Sequence, residues 1–86
     1  MSQTIPQSLL TPERAEYLLT IHQISLDSPL GYATPSRVAS TLNKNINTVR
    51  NMMLKMYHLG LLKKGGHGMY KLSDIAKQLL KNADLL

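Results

Sequence analysis

The chain has 86 residues, a formal net charge of +5 and no cysteine. That length suits one domain with a limited core, and the missing thiols exclude disulfides, thiolate metal sites and cysteine nucleophiles. An apolar share of 43% with 17% charged residues describes a chain that folds rather than a disordered polyelectrolyte, and no apolar run nears the ~20 residues a membrane span needs.

Residues 1–10 are polar apart from Met1, Ile5, Leu9 and Leu10, and read as a loose N-terminal arm or a segment that orders against a partner. Thr11-Pro12-Glu13 is a helix start: a capping hydroxyl, a proline in the first turn and an acid at the positive end of the dipole. Ala15, Leu18, Leu19, Ile21 (or His22) and Ile24 carry the apolar spacing of a first helix to about Ile24. Pro29 and Gly31 break it, and Leu30–Ala33 is placed as a very short strand. Thr34-Pro35-Ser36 repeats the start signal, with Thr34 as cap, for a short second helix whose inward stripe is Val38, Ala39 and Leu42. Asn43-Lys44-Asn45 ends it, since asparagine tolerates the left-handed backbone of a sharp turn between helices.

Asn45 then caps a third helix, about Ile46–His58, with Val49, Met52, Met53, Met56 and Leu59 as its stripe and Gly60 as its stop. Leu61–Lys64 and Met69–Leu72 bracket Gly65-Gly66-His67-Gly68, two short runs around a glycine-rich tip, which is a hairpin. Ser73 caps a last helix over Asp74–Lys81, with Ile75, Ala76, Leu79 and Leu80 inward. Residues 11–82 form the domain and residues 83–86 a tail. The fold class is mainly α with a small β-hairpin, in the order helix, short strand, helix, helix, strand, strand, helix.

The charge is unevenly placed. All five acids (Glu13, Glu16, Asp27, Asp74, Asp84) lie outside Ser28–Ser73, a window that holds Arg37, Lys44, Arg50, Lys55, Lys63, Lys64 and Lys71. The window carries +7 and the flanks −2, which together make the +5 of the chain. A one-signed field of this size draws a polyanion and repels acidic partners. A solvated basic face with no partner is the plainer alternative.

The run Thr34-Pro35-Ser36-Arg37-Val38-Ala39-Ser40-Thr41-Leu42-Asn43-Lys44-Asn45-Ile46-Asn47-Thr48-Val49-Arg50 resembles the helix-turn-helix of winged-helix regulators. Met53-Leu54-Lys55-Met56-Tyr57-His58-Leu59-Gly60-Leu61-Leu62 is similar to the third-helix exit of that family, and Tyr70-Lys71-Leu72-Ser73 to its wing exit. By pattern the chain resembles MarR-like and DtxR-like regulators over about Thr11–Lys81. Asn43 stands where a turn glycine is usual, and Lys44 where a small apolar residue is.

The resemblance implies a winged helix-turn-helix that binds double-stranded DNA and regulates transcription, with the third helix in the major groove. The residues themselves agree. With Val49, Met53 and Met56 inward, Asn47, Arg50, Asn51 and Lys55 face out, and Asn and Arg are the side chains that pair bidentately with adenine and guanine. The base-reading candidates are Ile46, Asn47, Thr48, Arg50 and Asn51. The phosphate-binding candidates are Ser36, Arg37, Lys44, Lys55 and the wing residues Lys63, Lys64, His67 and Lys71. These polar side chains could equally solvate an exposed face.

No two histidines have metal-ligand spacing on one helix, and no nucleophile triad or phosphate-cradling loop occurs. A non-enzyme without metal or cofactor is therefore expected. Leu54 is left partly exposed by the stripe, and Leu9, Leu10, Leu85 and Leu86 are hard to bury in so small a domain, so a homodimer through these leucines is expected. The first residues lack the basic start and apolar core of a secretion signal. The expected location is the cytoplasm, on the nucleoid when DNA is bound. A module that docks another regulatory protein in a replication or transcription assembly is the competing reading, and a membrane role is disfavoured.

Overall fold

The computed structural model of the chain describes residues 6–66 and 68–86. Four helices and a hairpin follow in order: α1 Pro12–Asp27, α2 Pro35–Leu42, α3 Ile46–His58, β1 Leu62–Lys64, β2 Tyr70–Leu72 and α4 Asp74–Asn82, preceded by one 3-10 turn at Gln7–Leu9. The fold is mainly α with a two-stranded antiparallel hairpin, the arrangement of a winged helix.

The start signals act as expected. Thr11, Thr34, Asn45 and Ser73 each have extended backbone, and each side-chain oxygen accepts from backbone N–H groups two or three residues on. The stops share one geometry. Asn43 has φ 54°, Gly60 φ 83° and Asp84 φ 59°. In each case the next amide, that of Lys44, Leu61 or Leu85, donates back to the carbonyl of Ala39, Met56 or Leu80. Asn43 thus does the work of the missing turn glycine between α2 and α3. Residues 83–86 are partly built into the closure of α4 rather than a free tail.

α1 packs on α2 and on β2, α2 on α3, and α4 on β2. The core formed between them includes Tyr17, Leu18, Ile21, Val38, Val49, Met53, Met56, Leu61, Leu72, Ala76, Leu79 and Leu80. Each large apolar side chain so enclosed contributes about 1.5–3 kcal/mol of transfer free energy. Two expected core positions are not there: Leu59 and Ile75 are exposed, whereas Ala15, Leu19, Leu42 and Met52 are half-buried and pack against the core. Leu59 is the C-cap of α3, beyond the last inward turn.

Two further expectations change. Leu30–Ala33 is not a strand, because Gly31 turns the chain at φ 77° and only Ala33 pairs. It both donates to and accepts from Tyr70, at 2.7 and 2.8 Å, so β2 is bonded on both sides. Residues 1–5 of the expected loose arm lie outside the described residues, but the rest of it is anchored. Gln7 Nε2 donates to the carbonyl of Leu79 at 2.9 Å, and Arg14 Nη1 donates to that of Leu9 at 3.0 Å. Leu9 and Leu10 pack against the core of their own chain.

Candidate nucleic-acid interface

The helix period of α3 sorts its side chains into an inner and an outer face. Val49, Met53 and Met56 point inward and lock the helix onto the core. Asn47, Thr48, Arg50, Asn51 and Lys55 are exposed, and Ile46 is at the margin with 36% of its surface open. All five base-reading candidates therefore belong to one helix and reach solvent. The Asn45 side chain accepts from the amides of Asn47 (2.8 Å) and Thr48 (3.4 Å), which fixes where the outward face begins.

Arg50 lines a concavity of about 460 Å³ together with Thr34, Pro35 and Ser36 at the start of α2 and Gly68 and Tyr70 of the wing. Three elements distant in sequence thus meet around one guanidinium. Neither α2 nor α3 has an acid in its first turn, whereas α1 has Glu13 and α4 has Asp74. The positive dipole ends of α2 and α3 are the two left without an acid. Thr34 is occupied as a cap, accepting from the Arg37 amide at 3.3 Å, while Ser36 and Arg37 are exposed.

The hairpin divides its charges by strand parity. Lys64 pairs with Tyr70, on the side facing α3, and its ammonium lies 5.8 Å from the Tyr57 ring centre. Lys63 pairs with Lys71 on the other side, and the Lys71 ammonium lies 5.2 Å from the Tyr32 ring. No lysine lines the Arg50 concavity, and the register puts Lys63 and Lys71 on the face of the hairpin opposite Lys64, so the wing lysines do not form one phosphate row. Lys44 projects beside α1, its ammonium 5.9 Å from the Tyr17 ring. That ring is enclosed, and burial first, then Glu13 and Glu16, push the pKa of its hydroxyl up, so it stays neutral. His67 lies outside the described residues.

Leu54 is left open to solvent, as the stripe of α3 implied. It is 42% exposed, three residues after Asn51, four after Arg50 and seven after Asn47, in the middle of the outward face of α3. Sequence reasoning missed Tyr57, which stands seven residues after Arg50, 37% exposed and edge-on to Tyr70 at 6.2 Å. The i, i+7 spacing from Arg50 was the available signal. Among the described residues, no three His, Asp or Glu side chains gather where they could hold a metal ion. Nor is any described helix long and apolar enough to cross a membrane.

No family model and no curated protein matches the chain. Similar solved structures do exist. One is an O-methyltransferase, NcsB1 from neocarzinostatin biosynthesis, in complex with S-adenosyl-L-homocysteine. It is 19% identical over 85% of this chain, with a TM-score of 0.54. The same enzyme with S-adenosyl-L-homocysteine and 1,4-dihydroxy-2-naphthoic acid is 18% identical over 92% of this chain, also at 0.54. In both, the chain spans 25% of the length of the enzyme. At such identity the likeness is one of fold: the matched quarter of that enzyme is winged-helix-like.

Proposed function

We propose that this chain is a sequence-specific double-stranded DNA-binding regulator of transcription, of the kind its MarR-like and DtxR-like motifs resemble. One observation carries the reading. The outward face of α3 exposes Asn47, Arg50 and Asn51, and Arg50 lines a concavity it shares with the acid-free start of α2 and with Gly68 and Tyr70 of the wing. α3 enters the major groove, its polar side chains reach base edges, and Ser36, Arg37, Lys55 and Lys64 hold the phosphates. The chain acts by occupying its site. It is not an enzyme and uses no cofactor, and its place is the cytoplasm, on the nucleoid.

Two copies pairing through Leu85 and Leu86, 44% and 47% exposed, would read two half-sites about one helical turn apart. Leu9 and Leu10, packed on their own core, contribute little to such a pair. Sedimentation at micromolar protein showing only a 9.6 kDa species would remove the homodimer.

The direct test is fluorescence anisotropy of a random-sequence duplex across a salt series. Micromolar or tighter binding that weakens steeply with salt is expected. Absence of salt-dependent binding would favour the docking of another regulatory protein. For that second reading the specific support is Leu26 and Leu30, which are 66% and 69% exposed at the end of α1 and in the loop after it.

A further inference from the structure

The parity of the hairpin that sends Lys71 away from the Arg50 concavity delivers it to a second one. This cleft, of about 160 Å³, lies between the end of α1, β2 and α4, and its lining includes His22, Gly31, Lys71, Leu72 and Lys77. Three basic side chains, from three elements, thus converge on one small space, and no acid is among the lining residues. All three are half-buried, which removes part of the water that would otherwise screen them from one another. Lys63 stands directly across the hairpin from Lys71, a like-charge pair that is unfavourable unless something neutralises it. The Lys71 ammonium sits 5.2 Å from the Tyr32 ring. The one buried hydroxyl of the cleft, Ser25 Oγ, is already committed, donating to the His22 carbonyl at 2.7 Å. Asp27 and Asp74, the acids closest in sequence, are exposed.

We propose that this cleft binds a phosphate-sized oxyanion, free or as the head of a small molecule. Lys71 and Lys77 supply the charge and the His22 ring N–H supplies a further donor. The volume corresponds to about five waters, enough for a phosphoryl group with a short substituent and too little for a nucleotide. The site is independent of the DNA reading and shares none of the residues that line the Arg50 concavity.

The test is a titration of the full chain, followed by its backbone amide spectrum, with inorganic phosphate and separately with glycerol 3-phosphate at constant ionic strength. Saturating shifts centred on Gly31, Lys71, Leu72 and Lys77 are expected. Equal affinities would identify the free ion as ligand, and tighter glycerol 3-phosphate the head of a small molecule. Combining Lys71→Gln with Lys77→Gln should weaken binding about tenfold or more, as expected for loss of two charge-assisted contacts, while Lys77→Arg and Arg50→Gln should leave it nearly unchanged. If the double variant fails to fold, His22→Leu, expected to bind about threefold more weakly through one lost donor, decides instead. Shifts that never saturate, that centre on Gly68 and Arg50, or that saturate at unchanged affinity in the Lys71→Gln, Lys77→Gln double variant would overturn the site. A double variant that merely melts earlier, when the unaltered chain shows no saturating shift, would assign the lysines to the carbonyl end of α1 and overturn it equally.

Discussion

Replacing Ser73 by alanine tests how α3 is held to the scaffold. Ser73 is 8% exposed, and its hydroxyl joins two elements. It accepts from the Ala76 amide at 3.2 Å, capping α4, and donates to the Gly60 carbonyl at 2.6 Å, just past the end of α3. Losing a cap costs about 1 kcal/mol. Leaving the half-buried Gly60 carbonyl without its donor adds roughly 1–2 kcal/mol, the lower part of the range for an orphaned acceptor. The sum, about 2–3 kcal/mol, lowers the melting temperature of a domain this size by roughly 10–20 °C. Thr34→Ala is the control, because its hydroxyl accepts only from Arg37 and the bond is exposed, so about 1 kcal/mol is expected there. Thermal unfolding of both variants by circular dichroism decides. If Ser73→Ala costs no more than Thr34→Ala, the link between α3 and α4 adds nothing beyond a cap, and the reasoning fails.

Arg50→Ala should cost about 1–3 kcal/mol on a selected site and relax discrimination at one position; equal losses on selected and random duplexes would remove Arg50 from base reading. Lys64→Ala should flatten the salt dependence of binding by about one unit, whereas Lys71→Ala, turned to the other side of the hairpin, should leave the slope unchanged. The reverse pattern would show that the wing meets DNA with its Tyr32 side. Leu54, in the centre of the outward face, is expected to touch a thymine methyl: one thymine-to-uracil change in the site should weaken the unaltered chain and leave Leu54→Ala indifferent. A uracil scan with no such position would return Leu54 to an interface between copies.

Much of this architecture was legible because its punctuation is chemical. Thr11, Thr34, Asn45 and Ser73 announce helix starts by their capping oxygens, and Gly60 and Asn43 announce stops by tolerating positive φ. The methionines of α3 repeat at the helix period, so its outward face could be named residue by residue. What escaped depends on partners far along the chain. Residues 6–10 look loose until Gln7 reaches Leu79, and Tyr17, outside the expected stripe of α1, is buried where α1 meets α2. Pairing of Ala33 with Tyr70 alone shortened an expected strand to one bridge. Composition counts the wing lysines as one basic patch; only the register, Lys63 with Lys71 and Lys64 with Tyr70, reveals that they serve two sides.

The central claim is that the outward face of α3 reads sequence. It is tested most directly by sequencing the duplexes that the chain retains from a random pool, alongside those retained by a variant combining Asn47→Ala, Arg50→Ala and Asn51→Ala. The account predicts a short enriched motif for the unaltered chain and none for the variant, which keeps salt-dependent binding through Arg37, Lys55 and Lys64. The same motif retained by both proteins, or no motif with either, would contradict it.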